Sequence, residues 1–298
     1  FALMNLDDQV PEFEPKKSSG FAHRWILHRM EEVKENVALS LEEYRFNDAA
    51  QELYQFVWHE LCDWYLEMIK PELYRRDESA GPARACLLRV LEETLVLLHP
   101  VIPFVTQEIW SFLPQRKQEN LALVPYPEKR DGCRDQTVSE EINFLRDVVV
   151  SVRNIRSELG IAPALKLNVH MRAQGRDREF LLEHADLIRN LALVEDLSVE
   201  KDLETPQGAA SNVVQGNELF VPLKGLVDFD SELSRLDKEL AKLDKELDIV
   251  GRKLANADFV QKAPEHIVQK EKEKAGGFEE KKAKLEELYA RLEKYAAK

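Results

Sequence analysis

The sequence predicts a mainly α protein: an antiparallel helix bundle, a small α+β subdomain, then a long antiparallel coiled-coil hairpin. Three observations predict it. From Arg45 to Tyr74, Leu53, Phe56, Val57, Leu61, Trp64, Tyr65, Met68 and Ile69 recur at steps of three and four, opposite Asp48, Glu52, His59, Asp63, Glu67 and Lys70, which is the period of an amphipathic helix. Between Leu165 and Met171 the apolar positions instead alternate, the period of a strand. From Leu226 through Phe229, Leu233, Leu236, Leu240, Leu243, Leu247, Val250 and Leu254 the spacing is 3,4,3,4 without a miss, a heptad seam.

In chain order, residues 7 to 20 combine prolines, serines and a glycine without periodicity and read as an exposed linker. A first helix from Phe21 carries the stripe Trp25, Ile26, Met30, Val33, Val37 and Leu41. Asn47 is expected to cap the second helix and Pro71 to end it. Pro82 opens a third, ending at His99-Pro100, and Pro103 a short fourth with Phe104, Val105, Ile109, Trp110 and Phe112 as its buried side. After a proline- and charge-rich loop, Thr137-Val-Ser-Glu140 reads as a capping box before a fifth helix that includes Ile142, Val149 and Leu159. Five helices on short joints make an antiparallel bundle.

The α+β stretch adds a helix from Phe180 to Leu191, a strand from Val194 to Val199, and a hairpin from Asn212 to Val221 turning at Gly216-Asn217. The heptads break from Asn256 to Pro264 and resume at Phe278, Leu285, Leu288, Leu292 and Tyr295, which predicts two arms of roughly 40 Å joined near that break. Gly276-Gly277 predicts a kink or frayed turn in the second arm, because two glycines disfavour a helix by about 2 kcal/mol relative to alanines. The domains expected are a linker at 1–20, the bundle at 21–160, the α+β unit at 161–225 and the arm at 226–298.

With 42 Lys and Arg against 55 Asp and Glu, the net charge of −13 excludes a generic nucleic-acid coat, which needs excess cations. The arm from Leu226 holds 16 basic and 17 acidic residues, so nearly all of the negative excess lies in the body. No apolar run approaches membrane-spanning length, and Phe1 to Leu6 lacks the form of a signal peptide, so a soluble cytoplasmic monomer that engages no membrane is expected. Cys62, Cys86 and Cys133 are too widely spaced for a zinc site or a disulfide framework, and Cys62 and Cys86 fall in apolar helical patterns as core fillers. His59-Glu60-Leu-Cys-Asp63 has the spacing of a HExxH metal motif but ends in Asp, and there is no Walker A loop, GxGxxG or GxSxG. Neither a metal nor a cofactor site is expected.

The phrase FNDAAQELYQFVWHELCDWYLEMIKPELY followed by LLHPVIPFVTQEIW resembles the anticodon-binding domain of bacterial valyl-tRNA synthetases, and the opening FALMNL resembles the end of the helix joining such a domain to the catalytic body. The resemblance covers nearly the whole chain. It implies a C-terminal fragment of an ATP-dependent ligase, without the catalytic and editing domains and their HIGH and KMSKS signatures, ATP and Mg, so that the fragment alone catalyses nothing. Its implied partners are valine tRNA and those other domains of the same polypeptide.

The resemblance implies that the bundle reads the anticodon. The best candidates are Lys16, Lys17, Arg24 and Trp25 in KKSSGFAHRWIL, whose HRWIL resembles the family's DRWIL run with His23 in place of an acidic residue, while Arg153 and Arg156 in RNIRSELG resemble a further basic pair on the fifth helix that is implied to reach anticodon-stem phosphates. Trp25 also suits a core, and Arg153 and Arg156 also suit a solvated face paired with Glu158 and Asp147. The arm is implied to lie along the tRNA elbow, reading shape and backbone through Arg252, Lys253, Lys262, Lys270, Lys272 and Lys274, which equally suit a solvated coiled-coil face. An isoleucyl or leucyl relative is the rival within the family, although an isoleucine enzyme is expected to end in a cysteine-rich zinc module. From another class, the rival is a helical scaffold using the coiled coil for protein partners. A similar hairpin ends some ATP-binding cassette translation factors, which resemble nothing in residues 21 to 113.

Overall fold

The computed structural model describes residues 1–7, 9–15, 20–75, 77–116, 118–226, 229–256 and 265–296. The chain forms two units, Phe1–Arg146 and Asp147–Lys298, and the division falls inside one helix rather than at residue 160.

In the first unit, α1 (Phe21–Glu42) packs on α2 (Phe46–Tyr54), on the π-helical Gln55–Tyr65 that continues α2, and on α4 (Gly81–Leu98). The π segment leads directly into α3 (Leu66–Leu73). Buried positions run Leu53, Phe56, Leu61, Tyr65, Met68, Ile69 and Leu73, and the five-residue step from Phe56 to Leu61 marks the wider π turn. That turn keeps both side chains in the core and sets Trp58 and His59 outside.

Two expected boundaries differ. The helix begins at Phe46, so Asn47 lies within its first turn, and Pro71 sits in the last turn of α3 rather than stopping it.

A short α5 (Pro103–Ser111) buries only Thr106 and Trp110. Phe104 is 91% exposed, and Val105, Ile109 and Phe112 are exposed too, contrary to the expected buried side. Periodicity marked the apolar face, but among the described residues of this unit nothing covers it.

The loop that follows is fastened through charge. Lys34, with its side chain 1% exposed, bonds Glu31 at 2.5 Å, the Glu128 carbonyl at 3.1 Å and Glu93 at 3.3 Å. Arg130 reaches Glu93 at 2.8 Å, and its backbone N–H donates to Glu31 at 2.7 Å. A buried cation needs this compensation, since desolvation otherwise exceeds the attraction. At the start of α6 (Gln136–Glu158) the cap is Asp135, whose carboxylate accepts from the Val138 N–H at 3.3 Å. Thr137 therefore lies inside the helix and the expected capping box does not form.

The second unit holds a four-stranded sheet in the order β2-β1-β4-β3. β1 (Leu167–Arg172) and β2 (Val194–Glu200) are parallel, joined by α7 (Gly175–Glu183) and α8 (Ala185–Ala192); β3 (Ala209–Val214) and β4 (Asn217–Pro222) complete it antiparallel. The hairpin turns at Gln215-Gly216, both at positive φ (48° and 86°), one residue earlier than expected. Asn217 is instead buried, donating to Asp177 at 2.8 Å.

The arm consists of α9 (Phe229–Ala255) and α10 (Glu265–Ala296), packed along each other. Leu236, Leu243 and Val250 are buried and Leu233, Leu240, Leu247 and Leu254 half-buried, as the heptads require. On α10 the seam runs Val268, Glu271, Ala275, Phe278, Lys282, Leu285, Tyr289 and Leu292. Its two charged members cross to α9: Lys253 meets Glu271 at 3.3 Å, and Lys282 meets Asp244 at 2.6 Å. These pairs fix an antiparallel register. α10 runs unbroken through Gly276-Gly277, so the expected frayed turn is absent.

Candidate nucleic-acid interface

At the start of α1 two neighbouring side chains have opposite environments. Arg24 is partly exposed and its guanidinium is held by Asp135, with Nε donating at 2.9 Å and Nη2 at 2.6 Å to one carboxylate oxygen. Asp135 thus caps α6 and anchors α1 at once. Burial works to raise the Asp135 carboxyl, but the Arg24 guanidinium and the helix amides outweigh it and hold Asp135 below the usual carboxylate range.

Trp25 is 2% exposed, and the Arg146 guanidinium carbon lies 4.6 Å from its ring and 5.1 Å from that of Trp64. A ring so enclosed has no face for a nucleotide base, so the structure places Trp25 in the core. Burial lowers the Arg146 pKa, opposed by the nearby Glu60 carboxylate. Its guanidinium also meets the faces of two indoles, which attract a cation. Lys16 and Lys17 lie outside the described residues.

Rings able to stack on unpaired bases are found elsewhere in this unit. Tyr44, Phe46, Tyr54 and Trp58 project from the α1–α2 turn and the outer side of α2 and the π segment, and Tyr74 from the end of α3. Tyr44 and Phe46 meet edge to face at 6.2 Å, as do Tyr54 and His59 at 5.7 Å. Tyr44 holds a left-handed φ of 58° at the end of α1, where the Arg45 N–H closes on the Ser40 carbonyl at 2.7 Å. Sequence reasoning passed over these rings. The available signal was that Tyr54 and Trp58 fall outside the apolar stripe of their own helix.

A polar cluster ties α1 to the end of the π segment, α3 and α4. His23 is buried, with Nδ1 3.0 Å from the Tyr65 hydroxyl and Nε2 3.2 Å from Glu72. Burial opposes its charge, but hydrogen bonds to Cys86 and Glu72 prevail and raise its pKa to about 9. The His23 hydrogen bond correspondingly lowers that of Glu72.

In the second unit, Arg153 donates to the Leu191 carbonyl through Nη2 at 2.7 Å and Nε at 3.2 Å. Arg156 reaches the carbonyls of Leu165 at 2.6 Å, Ala162 at 3.1 Å, Leu193 at 3.2 Å and Ala192 at 3.4 Å. Both cations therefore gather carbonyls at the end of α8 and the entry to β1. This is a role that neither expected reading, phosphate contact or acid-paired surface, had included.

On the arm, Arg252 pairs with Asp248 at 2.7 Å and Lys253 with Glu271. Lys270, Lys272 and Lys274 are exposed, and Lys274 lies 5.5 Å from the centre of the Phe278 ring. Lys262 is outside the described residues. Exposed ammonium groups on a regular rod suit phosphate contacts, which position a nucleic acid without reading its bases. Among the described residues no cluster of His, Cys, Asp or Glu is arranged to hold a metal, and no helix is long and apolar enough to cross a membrane.

Residues 23–171 match the anticodon-binding domain of tRNA ligases, and residues 228–293 match the valyl tRNA synthetase tRNA binding arm. The chain is 44% identical to the valine–tRNA ligase of Nitratidesulfovibrio vulgaris over 294 residues, 98% of this chain and 33% of that protein. It is 40% identical to that of Geobacter sulfurreducens over 299 residues (99% and 33%) and 38% identical to that of Bacillus cereus over 302 residues (99% and 34%). The chain spans about a third of the length of the curated relatives it matches.

Proposed function

Because the chain belongs to the anticodon-binding family of tRNA ligases, in its valine–tRNA ligase branch, we propose that it is the tRNA-binding C-terminal part of such a ligase and recognises valine tRNA at two places. The helical unit reads the anticodon, and the arm supports the elbow, so that the acceptor end reaches the catalytic and editing domains of the same polypeptide. Activation of valine with ATP and Mg belongs to those domains, and the residues described here perform no chemistry of their own.

The observation that carries this reading is the succession, in one chain, of an anticodon-binding match and a tRNA-binding-arm match, the second falling on a two-helix rod with exposed Lys270, Lys272 and Lys274. The unit's accessible aromatic rings suit the unstacked bases of a single-stranded loop, which proteins hold by stacking and edge hydrogen bonds. A rod of lysines suits backbone and shape.

The test is a titration at fixed low salt with valine tRNA, the same tRNA carrying another anticodon, and an unrelated tRNA. Valine tRNA is expected to bind tightest. Reversing the arm charges (K270E, K272E, K274E) is expected to weaken all three without changing their order. Equal binding of valine and unrelated tRNA would remove the RNA role. Loss of anticodon preference in the arm variant would contradict the division of labour.

A further inference from the structure

Three glycines interrupt otherwise strong helix-forming sequence in the arm: Gly251 on α9, and Gly276 and Gly277 on α10. They are far apart in sequence, yet the register places them together. Lys253 is level with Glu271 and Asp244 with Lys282, so Gly251 and the Gly276-Gly277 pair fall within about one helical turn of each other along the hairpin. All three are exposed, and a Cβ added to any of them would meet nothing within 4 Å. None has a positive φ. Packing therefore does not require glycine at these positions, nor does backbone geometry, and helix propensity disfavours it.

At the level of Gly251 and Gly276 the seam is filled by Val250 and the methyl of Ala275, with the larger Leu247 and half-buried Phe278 following toward the base. Charge changes across the same level. Residues 252–275 carry six Lys and Arg against four Asp and Glu, whereas the proximal stretches 229–250 and 276–296 together carry nine against twelve.

We infer that Gly251 and Gly276-Gly277 form a hinge through both helices of the arm, about which the cationic distal segment bends as a unit. A glycine in one helix weakens one strand of the rod; glycines at one level in both leave no stiff helix to splint the bend. Gly pairs are among the recognised sites of sharp helix bending. The hinge stands on the arm alone. That it lets Lys270, Lys272 and Lys274 follow an RNA backbone rests on the function proposed above.

Backbone amide hydrogen exchange on the whole chain, without RNA, tests the hinge. Protection is expected to dip around 248–252 and 274–279 together and to recover distally around 267–271. A smooth decline toward the tip, or a dip in one helix only, overturns it. Combining Gly251→Ala, Gly276→Ala and Gly277→Ala is expected to slow exchange at that level by roughly a hundredfold, and survival of the dip in this variant overturns it too. The same variant is expected to bind valine tRNA several-fold more weakly than the parent chain. Undiminished affinity with the dip removed rejects the RNA-following role. Failure of the parent chain to bind any tRNA sinks the proposed function and leaves the exchange result standing.

Discussion

Raising the pH should loosen the start of the bundle through one imidazole. His23 donates from a buried site toward the Tyr65 hydroxyl and the Glu72 carboxylate, linking α1 to the end of the π segment and to α3. Its pKa is raised from 6.5 to about 9 in the fold, so between those values the native chain holds a proton that the unfolded chain has lost. Stability then falls with rising pH across that window. It is fully present below pH 6.5 and gone above about 9. At 1.36 kcal/mol per pH unit the linked stabilisation is about 3 kcal/mol, a sizeable share of the ~5–15 kcal/mol that holds a typical domain.

The assay is urea unfolding at several pH values from 6 to 9.5, beside the His23→Gln variant. Tyr65, whose own pKa burial raises well above 10, stays protonated throughout. The native chain should lose about 3 kcal/mol over the range, and the variant should show little of that slope. An imidazole titrating near 6.5 by NMR, or equal slopes in the two proteins, would refute the reasoning.

Replacing Lys34 by Met should leave the buried Glu31 carboxylate with the Arg130 N–H but without its cation, while Glu93 keeps Arg89 and Arg130, and should destabilise the chain by up to about 3–5 kcal/mol, measured by the urea midpoint; a change under about 1 kcal/mol would mean the remaining partners and water already compensate the cluster. Trp25→Ala should destabilise by roughly 3–5 kcal/mol, whereas Trp58→Ala should stay within about 0.5 kcal/mol, so thermal melts of the pair distinguish core from surface. Asp135→Asn keeps a capping side chain but discharges the partner of Arg24, and a loss of about 1 kcal/mol or less is expected, because Arg24 is substantially exposed and its ion pair is screened. On the arm, K270E/K272E/K274E should flatten the plot of log affinity for tRNA against log salt, by up to about 2–3 in slope if all three lysines contact phosphates. An unchanged slope would assign those lysines to solvent.

The sequence by itself determined the helical class, the strand at Leu167, the heptad seam and its two arms, because each rests on the spacing of apolar side chains along one stretch of chain. Only tertiary structure decided which apolar faces are covered. The same periodicity marks Phe56, which is in the core, and Phe104, which is in solvent, since a stripe identifies a face without identifying what lies against it. Partnerships were likewise hidden. Arg24 with Asp135, Lys34 with Glu93, and Arg153 with the Leu191 carbonyl join residues far apart in sequence, and a cation's spacing says nothing of which distant acceptor the fold will bring to it. That is why the sequence left Trp25 open between a ring for bases and a core residue, and only the fold showed it to be the ring against which Arg146 is packed.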